Sequence, residues 1–116
     1  MIFLGMARKF ALKNEEQYQT IGAFWDEMEA LYGLEKLRGL GYLWEGGYIY
    51  YAIGLKEGEI SGWNFSIDLP EDGWVCVSGE TACLQALYDE IYQNGALKYE
   101  IETFDEDGRC QILYYR

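Results

Sequence analysis

Histidine is absent from this chain of 116 residues, and basic residues are few: nine lysines and arginines stand against twenty acids, for a net charge of −11. Without histidine the chain lacks the usual general base near neutral pH, so serine–histidine and cysteine–histidine catalysis are excluded. The shortage of lysine and arginine argues against direct binding to nucleic acid or to an anionic membrane, because both need basic side chains that contact phosphate. We therefore expect no metal site, no cofactor and no catalytic residue, and a binding protein is favoured over an enzyme.

Long apolar runs and paired cysteines are also missing. No stretch approaches the roughly 20 apolar residues of a membrane span, and the opening run 1–4 is too short for a signal peptide. Cys76, Cys83 and Cys110 form an odd, scattered set without CxxC spacing, which is typical of buried free thiols in a reducing compartment. The sequence thus predicts a cytoplasmic protein with one domain over 1–116.

Aromatic residues are what the chain has in abundance, with four tryptophans, eleven tyrosines and five phenylalanines. Aromatic faces attract organic cations, and a nearby carboxylate adds Coulomb attraction. The composition therefore fits a pocket for a lipophilic cation. Composition alone favours the simpler interpretation, an aromatic core beneath a solvating acidic surface, so the order of the residues has to separate the two interpretations.

Apolar residues at helical spacing mark two helices. The first is predicted over about 15–32, opened by a capping box at Asn14 and closed by Gly33. The second is predicted over about 81–93. Acidic residues of these helices, Asp26 among them, are expected on the outer helix faces as solvating charges.

Runs of strand-forming residues between turn signals predict seven strands. They span 2–12, 41–45, 48–55, 63–69, 74–78, 99–104 and 110–115. Residues 34–40 are interpreted as a connector. Gly46-Gly47 suits the positive φ angles of a tight hairpin turn, which joins the second and third strands.

The last turn sets the expected register of the final hairpin. A turn over 105–108 pairs Phe104 with Arg109 and Glu102 with Gln111. One face of this hairpin then carries residues 102, 104, 111 and 113. A carboxylate among apolar neighbours is costly to bury without a partner, which makes Glu102 a candidate binding residue, although most strand glutamates are simply solvated.

The order strand, helix, hairpin occurs twice along the chain. Phe24 to Met28 in the first helix matches Leu87 to Ile91 in the second, and the hairpin strand after Gly47 matches the strand after Gly108. The sequence therefore predicts an α+β fold of two βαββ repeats related by pseudo-twofold symmetry, with one antiparallel sheet and both helices on one face. A cleft where the repeats meet is the natural ligand site.

This order and several segments resemble the GyrI-like effector-binding domain, the ligand-sensing half of many bacterial AraC-type and MerR-type transcription regulators, which also occurs as a free-standing protein. The resemblance covers nearly the whole chain and is carried by Ile21, Phe24 and Trp25, by Tyr51 to Leu55, by Leu69 to Trp74, and by the pair 101–104 and 110–112. It implies a pocket between the repeats for bulky, often cationic, lipophilic molecules, the multidrug-binding type of site. It also implies acidic residues from the last two strands, and Glu102 stands at one such position. Gln111 stands where the family has a glutamate.

By the repeat, Tyr50 corresponds to Gln111, so Tyr48 and Tyr50 are expected on the wall opposite Glu102. The sequence leaves open which face of 48–55 packs on the helices. The candidate ligand-binding residues are Trp25, Trp44, Tyr48, Tyr50, Glu102, Phe104, Gln111 and Leu113. In this interpretation Glu102 supplies charge and Gln111 a hydrogen bond, whereas Trp25 and Trp44 equally suit core or cross-strand packing.

The resulting prediction is a stand-alone effector-binding or sequestering protein for a small lipophilic, cationic molecule. A DNA-binding regulator chain and a second copy of this chain are the protein partners considered. Two alternatives stay open: a carboxylate-dependent hydrolase of reactive small molecules using Glu102 or Glu45, and an acidic inhibitor that binds a basic protein.

Overall fold

The computed structural model describes residues 1–13 and 16–116. The strands are β1 (Ile2–Ala11), β2 (Leu37–Glu45), β3 (Tyr48–Leu55), β4 (Phe65–Asp68), β5 (Val75–Glu80), β6 (Tyr99–Phe104) and β7 (Arg109–Tyr115), and the helices are α1 (Glu16–Tyr32) and α2 (Leu84–Gln93). Short 3-10 turns occupy Leu34–Lys36 and Thr81–Cys83. The predicted α+β class is confirmed. The capping box at Asn14 lies outside the described residues, and no helix of the described part is long and apolar enough to cross a membrane.

All seven strands join in one antiparallel sheet, in the order β4-β1-β3-β2-β6-β7-β5. Strands β2 and β6 meet at its centre, where Gly39 pairs with Glu102 and Gly41 with Glu100. Strand β2 begins at Leu37, whereas the sequence predicted a connector over 34–40. The prediction was wrong because glycines at two alternate positions hide the apolar alternation that marks a strand.

Both helices cover the same face of this sheet, here called the inner face. Helix α1 packs Trp25 and Met28 in one cluster with Tyr51 of β3, and α2 packs Tyr88 in another with Ile112 of β7. Gly41 pairs with Tyr51 on one side and with Glu100 on the other, so these two side chains share one face. Glu102 lies on the same face two residues later in β6 and pairs with Ile112, which extends that face to β7. Strand β3 therefore turns 49, 51 and 53 towards the helices, which answers the question that the sequence left open.

The opposite face of the sheet, here called the outer face, carries its own apolar cluster. It contains Phe3, Leu40, Ala52, Leu69 and Ile101, all buried. Trp74, from the segment before β5, packs against this cluster and donates its indole N–H to the Pro70 carbonyl at 2.8 Å.

The three cysteines are not all buried, contrary to the sequence prediction. Cys110 of β7 is buried, but Cys76 and Cys83 are exposed. Cys76 lies on β5, the last strand of the sheet, and Cys83 precedes α2. Edge and connecting positions keep side chains accessible whatever their hydrophobicity.

The two main hairpins differ in how well their turns were predicted. Gly46 and Gly47 have φ angles of 60° and 82° and close the β2–β3 hairpin as expected. In the last hairpin, however, Phe104 pairs with Cys110 and Thr103 with Gln111. The predicted register was wrong by one residue because the Asp105 carboxylate accepts the N–H groups of Asp107 and Arg109, at 3.0 and 2.9 Å, and so holds a longer loop.

A bulge in β2 also changes which residues face inward. Gly41 pairs with Tyr51 and Leu43 with Tyr50, so Tyr42 is an extra residue in the ladder. One additional residue reverses the alternation of all residues that follow. Trp44 consequently pairs with Ile49 and lies on the inner face.

One glycine inside α1 and another just after it offer a stability test with opposite expected signs. Gly22 lies inside the helix, and a Cβ there would meet no atom within 4 Å, whereas Gly33 follows the helix with a φ of 89°. We expect Gly22→Ala to raise the free energy of unfolding by roughly 0.5–1 kcal/mol, because alanine loses less entropy in a helix. We expect Gly33→Ala to lower it by about 1 kcal/mol, because alanine is strained at positive φ. Urea denaturation followed by circular dichroism measures both; equal effects of the two changes would contradict this assignment.

Candidate ligand-binding site

Two glycines of β2 create space at the centre of the inner face. A Cβ on Gly39 would overlap the Tyr51 hydroxyl and lie 2.7 Å from Cζ2 of Trp25. A Cβ on Gly41 would lie 2.9 Å from Oε1 of Glu100. Glycine at these positions therefore lets large polar side chains from neighbouring elements lie directly on the strand backbone.

The carboxylate of Glu102 is the centre of a buried hydrogen-bond network. The Tyr51 hydroxyl donates to Oε1 of Glu102, and the Tyr88 hydroxyl donates to Oε2 at 2.6 Å. The Trp25 indole N–H donates in turn to the Tyr51 oxygen at 2.8 Å. Each helix and strand β3 thus contribute to holding this one carboxylate.

A second carboxylate lies two residues earlier on β6. Glu100 shares the inner face with Glu102, and each is only 5 % exposed. Oε2 of Glu100 accepts a hydrogen bond of 2.7 Å from the Tyr92 hydroxyl of α2. Two acidic side chains are therefore buried side by side beneath the helices.

Burial shifts the pKa values of both acids upward, because the charged form is poorly solvated there. Burial, followed by repulsion from Glu102, raises the pKa of Glu100 to about 8, while the hydrogen bond from Tyr92 opposes the shift. Burial also raises the pKa of Glu102, and the hydrogen bonds from Tyr51 and Tyr88 act against it by stabilising the carboxylate. Both shifts favour the protonated acid, and Glu102 accepts more hydrogen bonds that favour its ionised form than Glu100 does.

The tyrosines of the network remain hydrogen-bond donors. Burial, followed by nearby negative charge, holds the pKa of Tyr51 and of Tyr88 well above the ordinary value of 10.0. The same causes raise the pKa of Tyr92. All three hydroxyls therefore keep their protons and direct them at the two glutamates.

Neither glutamate has a cationic partner in the part of the chain that the structure describes. The ion pairs found there are all at the surface, between the amino terminus and Asp68 or Glu71 and between Arg8 and Glu27. A buried carboxylate is usually paired with a cation or a metal. Nor do the described residues contain a group of three or more acids or cysteines that could hold a metal ion.

Above these two acids is a cavity of about 950 Å³ between the helices and the inner face. Its aromatic lining comes from Tyr18, Trp25, Trp44, Tyr51, Tyr88, Tyr92 and Phe104. Its acidic lining comes from Asp26, Glu29, Glu100, Glu102, Asp105 and Glu106. No lysine or arginine of the described residues lines it, so the cavity is aromatic and of one charge sign.

Depth separates the acids of the cavity into two groups. Glu100 and Glu102 are buried at its floor with Trp25 and Tyr51. Asp26 and Glu29 of α1 are exposed at its rim. Asp26 was expected to be a solvating charge only; it is solvated, but it also borders the cavity.

Four of the residues proposed from sequence meet in this cavity: Trp25, Trp44, Glu102 and Phe104. The rings of Trp25 and Phe104 pack edge to face with centroids 4.9 Å apart. Trp44 reaches the cavity because of the bulge at Tyr42. Phe104 and Glu102 share the inner face, as alternate residues of β6 must.

The other four proposed residues lie outside the cavity, which corrects their expected position. Tyr48 and Tyr50 alternate with Ile49 and so point to the outer face, where the ammonium of Lys9 is 4.1 Å from the Tyr48 ring centroid. Gln111 pairs with Thr103 and Ser78 on that same face, and Leu113 follows two residues later. The one-residue error in register accounts for Gln111 and Leu113, since such a shift exchanges the faces of a strand.

Several site residues were missed, although the sequence carries a signal for each group. Glu100 and Glu102 are two residues apart in one strand and must share a face. Tyr88 and Tyr92 are four apart in a helix and must lie together. The run Gly39-Leu40-Gly41 signals a close approach to the backbone once it is assigned to a strand.

Comparisons of the chain with protein-family models, with curated proteins and with solved structures found no match. A function for the cavity has therefore to be inferred from its own chemistry.

The buried acid Glu100 predicts a characteristic dependence of stability on pH. Its pKa is about 8 in the folded chain against an ordinary 4.5, so its contribution to stability is fully present below about pH 4.5 and is lost as pH rises towards 8. We expect Glu100→Gln to remove this loss, which amounts to roughly 2–4 kcal/mol between about pH 5 and pH 8. Urea denaturation across that range measures it. Glu59→Gln, an exposed change of equal charge, is the control; parallel curves for the wild type and Glu100→Gln would contradict the prediction.

Proposed function

We propose that this chain binds a small lipophilic cation in the inner-face cavity and acts as a free-standing effector-binding or sequestering protein. One observation carries the proposal: the buried carboxylate of Glu102 is held by two tyrosine hydroxyls, faces an aromatic cavity, and has no cationic partner among the described residues. A cation in the cavity would supply the missing positive charge.

The energetic argument starts from the cost of an unpaired buried charge. Hydrogen bonds from Tyr51 and Tyr88 stabilise the Glu102 carboxylate, but they do not neutralise it. Attraction between opposite charges strengthens as water is excluded. A ligand cation that enters this cavity therefore gains more from Glu102 than from the exposed acids at the rim, whose charges water screens.

The aromatic walls supply the remaining affinity. Trp25, Trp44 and Phe104 offer faces and edges to the ligand, and a desolvated cation–π contact contributes up to about 2 kcal/mol. Two such contacts, together with burial of an apolar body, support an affinity in the roughly micromolar range. A cavity of about 950 Å³ accommodates a ligand of drug size.

The arrangement of the strands supports a relation to the GyrI-like effector-binding domain. Each half of the chain runs strand, helix, hairpin, and in each half the strand before the helix pairs with the last strand of the hairpin, giving β1-β3-β2 and β5-β7-β6. We infer that the halves are two βαββ repeats with pseudo-twofold symmetry. On this basis a DNA-binding regulator chain, or a second copy of the chain, is the partner that would read the bound state.

Binding can be tested with three probes that share one fluorophore and differ in their tails. A dansyl group linked through a short alkyl chain to an amine, to an acetylated amine or to a carboxylate keeps the apolar part constant. We expect the amine to bind at least about tenfold more tightly than the neutral and anionic forms, because only the amine pairs with Glu102. Fluorescence titration and thermal shift measure this preference, and equal binding of all three probes would overturn the proposal.

The role of Glu102 itself is tested by a pair of variants of equal charge. Glu102→Gln should weaken binding of the amine probe by roughly tenfold or more and leave the neutral probe unchanged. Glu45→Gln should change neither, since Glu45 is exposed at the β2–β3 turn and does not line the cavity. Circular dichroism confirms folding of both. A loss of affinity that is the same for the two variants would show that only net charge matters.

A second candidate function, hydrolysis of a reactive small molecule, is favoured by the two buried acids that line the same cavity. With its pKa near 8, Glu100 can donate a proton at neutral pH, and Glu102 in its ionised form can accept one from water. Water would add to the electrophilic carbon and lose a proton to Glu102 while Glu100 protonates the departing atom. Return of the proton from Glu102 to Glu100 would then restore the starting state. Glu45, the other acid considered for this role, does not line the cavity.

Turnover separates the two functions. Wild-type protein would be incubated with strained-ring electrophiles of drug size, and addition of water would be followed by mass spectrometry. A hydrolase should lose turnover by at least about a hundredfold in Glu102→Gln and still bind substrate. The absence of water addition above the buffer rate, with Glu45→Gln as the matched control, would exclude this candidate.

A further inference from the structure

Two buried polar atoms of the cavity wall lack a hydrogen-bond partner. Among residues 1–13 and 16–116, three buried side-chain atoms are unpaired: Oε1 of Gln17, Oγ1 of Thr81 and Nε of Arg38. Gln17 and Thr81 line the cavity, whereas Arg38 does not. Buried polar atoms without a partner are rare in folded proteins because each costs free energy. Because both side chains border the cavity, a ligand there would pair with these atoms once the side chains turn towards it.

The donors of the buried network beneath the cavity are already in use. The hydroxyls of Tyr51 and Tyr88 donate to Glu102, that of Tyr92 donates to Glu100, and the Trp25 N–H donates to Tyr51. What these groups leave facing the cavity is mostly acceptor capacity, in the remaining lone pairs of the Glu100 and Glu102 carboxyl groups, with the acid proton of Glu100 beside them at neutral pH. The amide oxygen of Gln17 can only accept, and the Thr81 hydroxyl can accept as well as donate. Among the two carboxyl groups, the Gln17 amide oxygen and the Thr81 hydroxyl, acceptors therefore outnumber free donors.

We propose that the ligand is a protonated amine or amidine whose N–H groups donate to the cavity wall, and that Gln17 and Thr81 select for such donors. This inference rests on the proposed function and narrows its ligand class. A quaternary ammonium carries the same charge and an apolar surface, but it has no hydrogen to donate. It would bury the acceptors of the wall without pairing them, which lowers its affinity.

The positions of the two residues also constrain the shape of the ligand. Gln17 lies in the first turn of α1, and Thr81 begins the 3-10 turn before α2. They belong to different walls of the cavity, and the buried glutamates lie on the sheet between these helices. A ligand that satisfies both residues and Glu102 carries donors at more than one point along its length.

The decisive comparison adds a trimethylammonium form to the dansyl series with amine and acetylated-amine tails. All three share the fluorophore and linker, and in the trimethylammonium form three methyl groups replace the N–H hydrogens of the amine. We expect the amine to bind roughly three- to tenfold more tightly than the trimethylammonium, the range for loss of one hydrogen bond. Equal or tighter binding of the trimethylammonium would overturn the inference and leave the proposed function standing.

Two variants locate the selectivity in the residues named. Thr81→Val and Gln17→Leu remove the hydrogen-bonding atoms at similar volume, and each should reduce the preference for the amine by about two- to fivefold without changing affinity for the trimethylammonium. Thr103→Val and Gln111→Leu are matched controls, because these residues pair with each other outside the cavity. Thermal unfolding verifies that every variant folds.

The outcomes distinguish this inference from the proposed function on which it rests. Selectivity that persists unchanged in Thr81→Val and Gln17→Leu would refute the assignment of these residues. Failure of both cations to bind more tightly than the acetylated probe would refute the proposed function, and the inference with it.

Discussion

The rest of the inner face depends on a single arrangement, a carboxylate buried between two tyrosine hydroxyls. Glu102 receives one donor from the sheet and one from α2, and the donor from the sheet is itself fixed by the indole of α1. Such a network is stable only when every member is satisfied. It therefore dictates glycine at position 39, where any side chain would displace the Tyr51 hydroxyl. Elements distant in sequence are constrained together by one acidic group.

The same arrangement links stability to binding. Two buried acids without a cationic partner among the described residues reduce the stability of the folded chain at neutral pH. In the proposed function, a ligand that supplies positive charge and hydrogen-bond donors would offset this loss. The site would then be organised before the ligand arrives, which favours affinity. Apolar side chains of the helices do not cover the two acids. If they did, they would stabilise the fold but fill the cavity.

Much of this fold could be predicted from the sequence, because the spacing of apolar residues and the residues that form turns are local features. The spacing of Phe24, Trp25 and Met28 gave the first helix, and Gly46-Gly47 gave the central hairpin. The side chains that share the cavity were harder to predict, since facing depends on counting every residue in a strand. An aspartate that lengthens the last turn and a bulge in β2 each shift that count by one. Neither the longer turn nor the bulge produces a repeating pattern of apolar residues that can be recognised in a short stretch of sequence. The pairing of β2 with β6, which brings Glu102 beside Gly39, is likewise a long-range event that no local pattern encodes.

The bulge at Tyr42 determines which residues of β2 after Gly41 face the cavity. Trp44 and Gly41 are three residues apart, yet both face inward because the ladder takes Tyr42 as an extra residue. A change that let Tyr42 join the ladder in regular alternation would pair Leu43 with Ile49 and turn Trp44 outward. Deleting Tyr42 would instead straighten the strand and keep Trp44 opposite Ile49. A slip of the register here would therefore change the lining of the cavity, whereas loss of the extra residue would not.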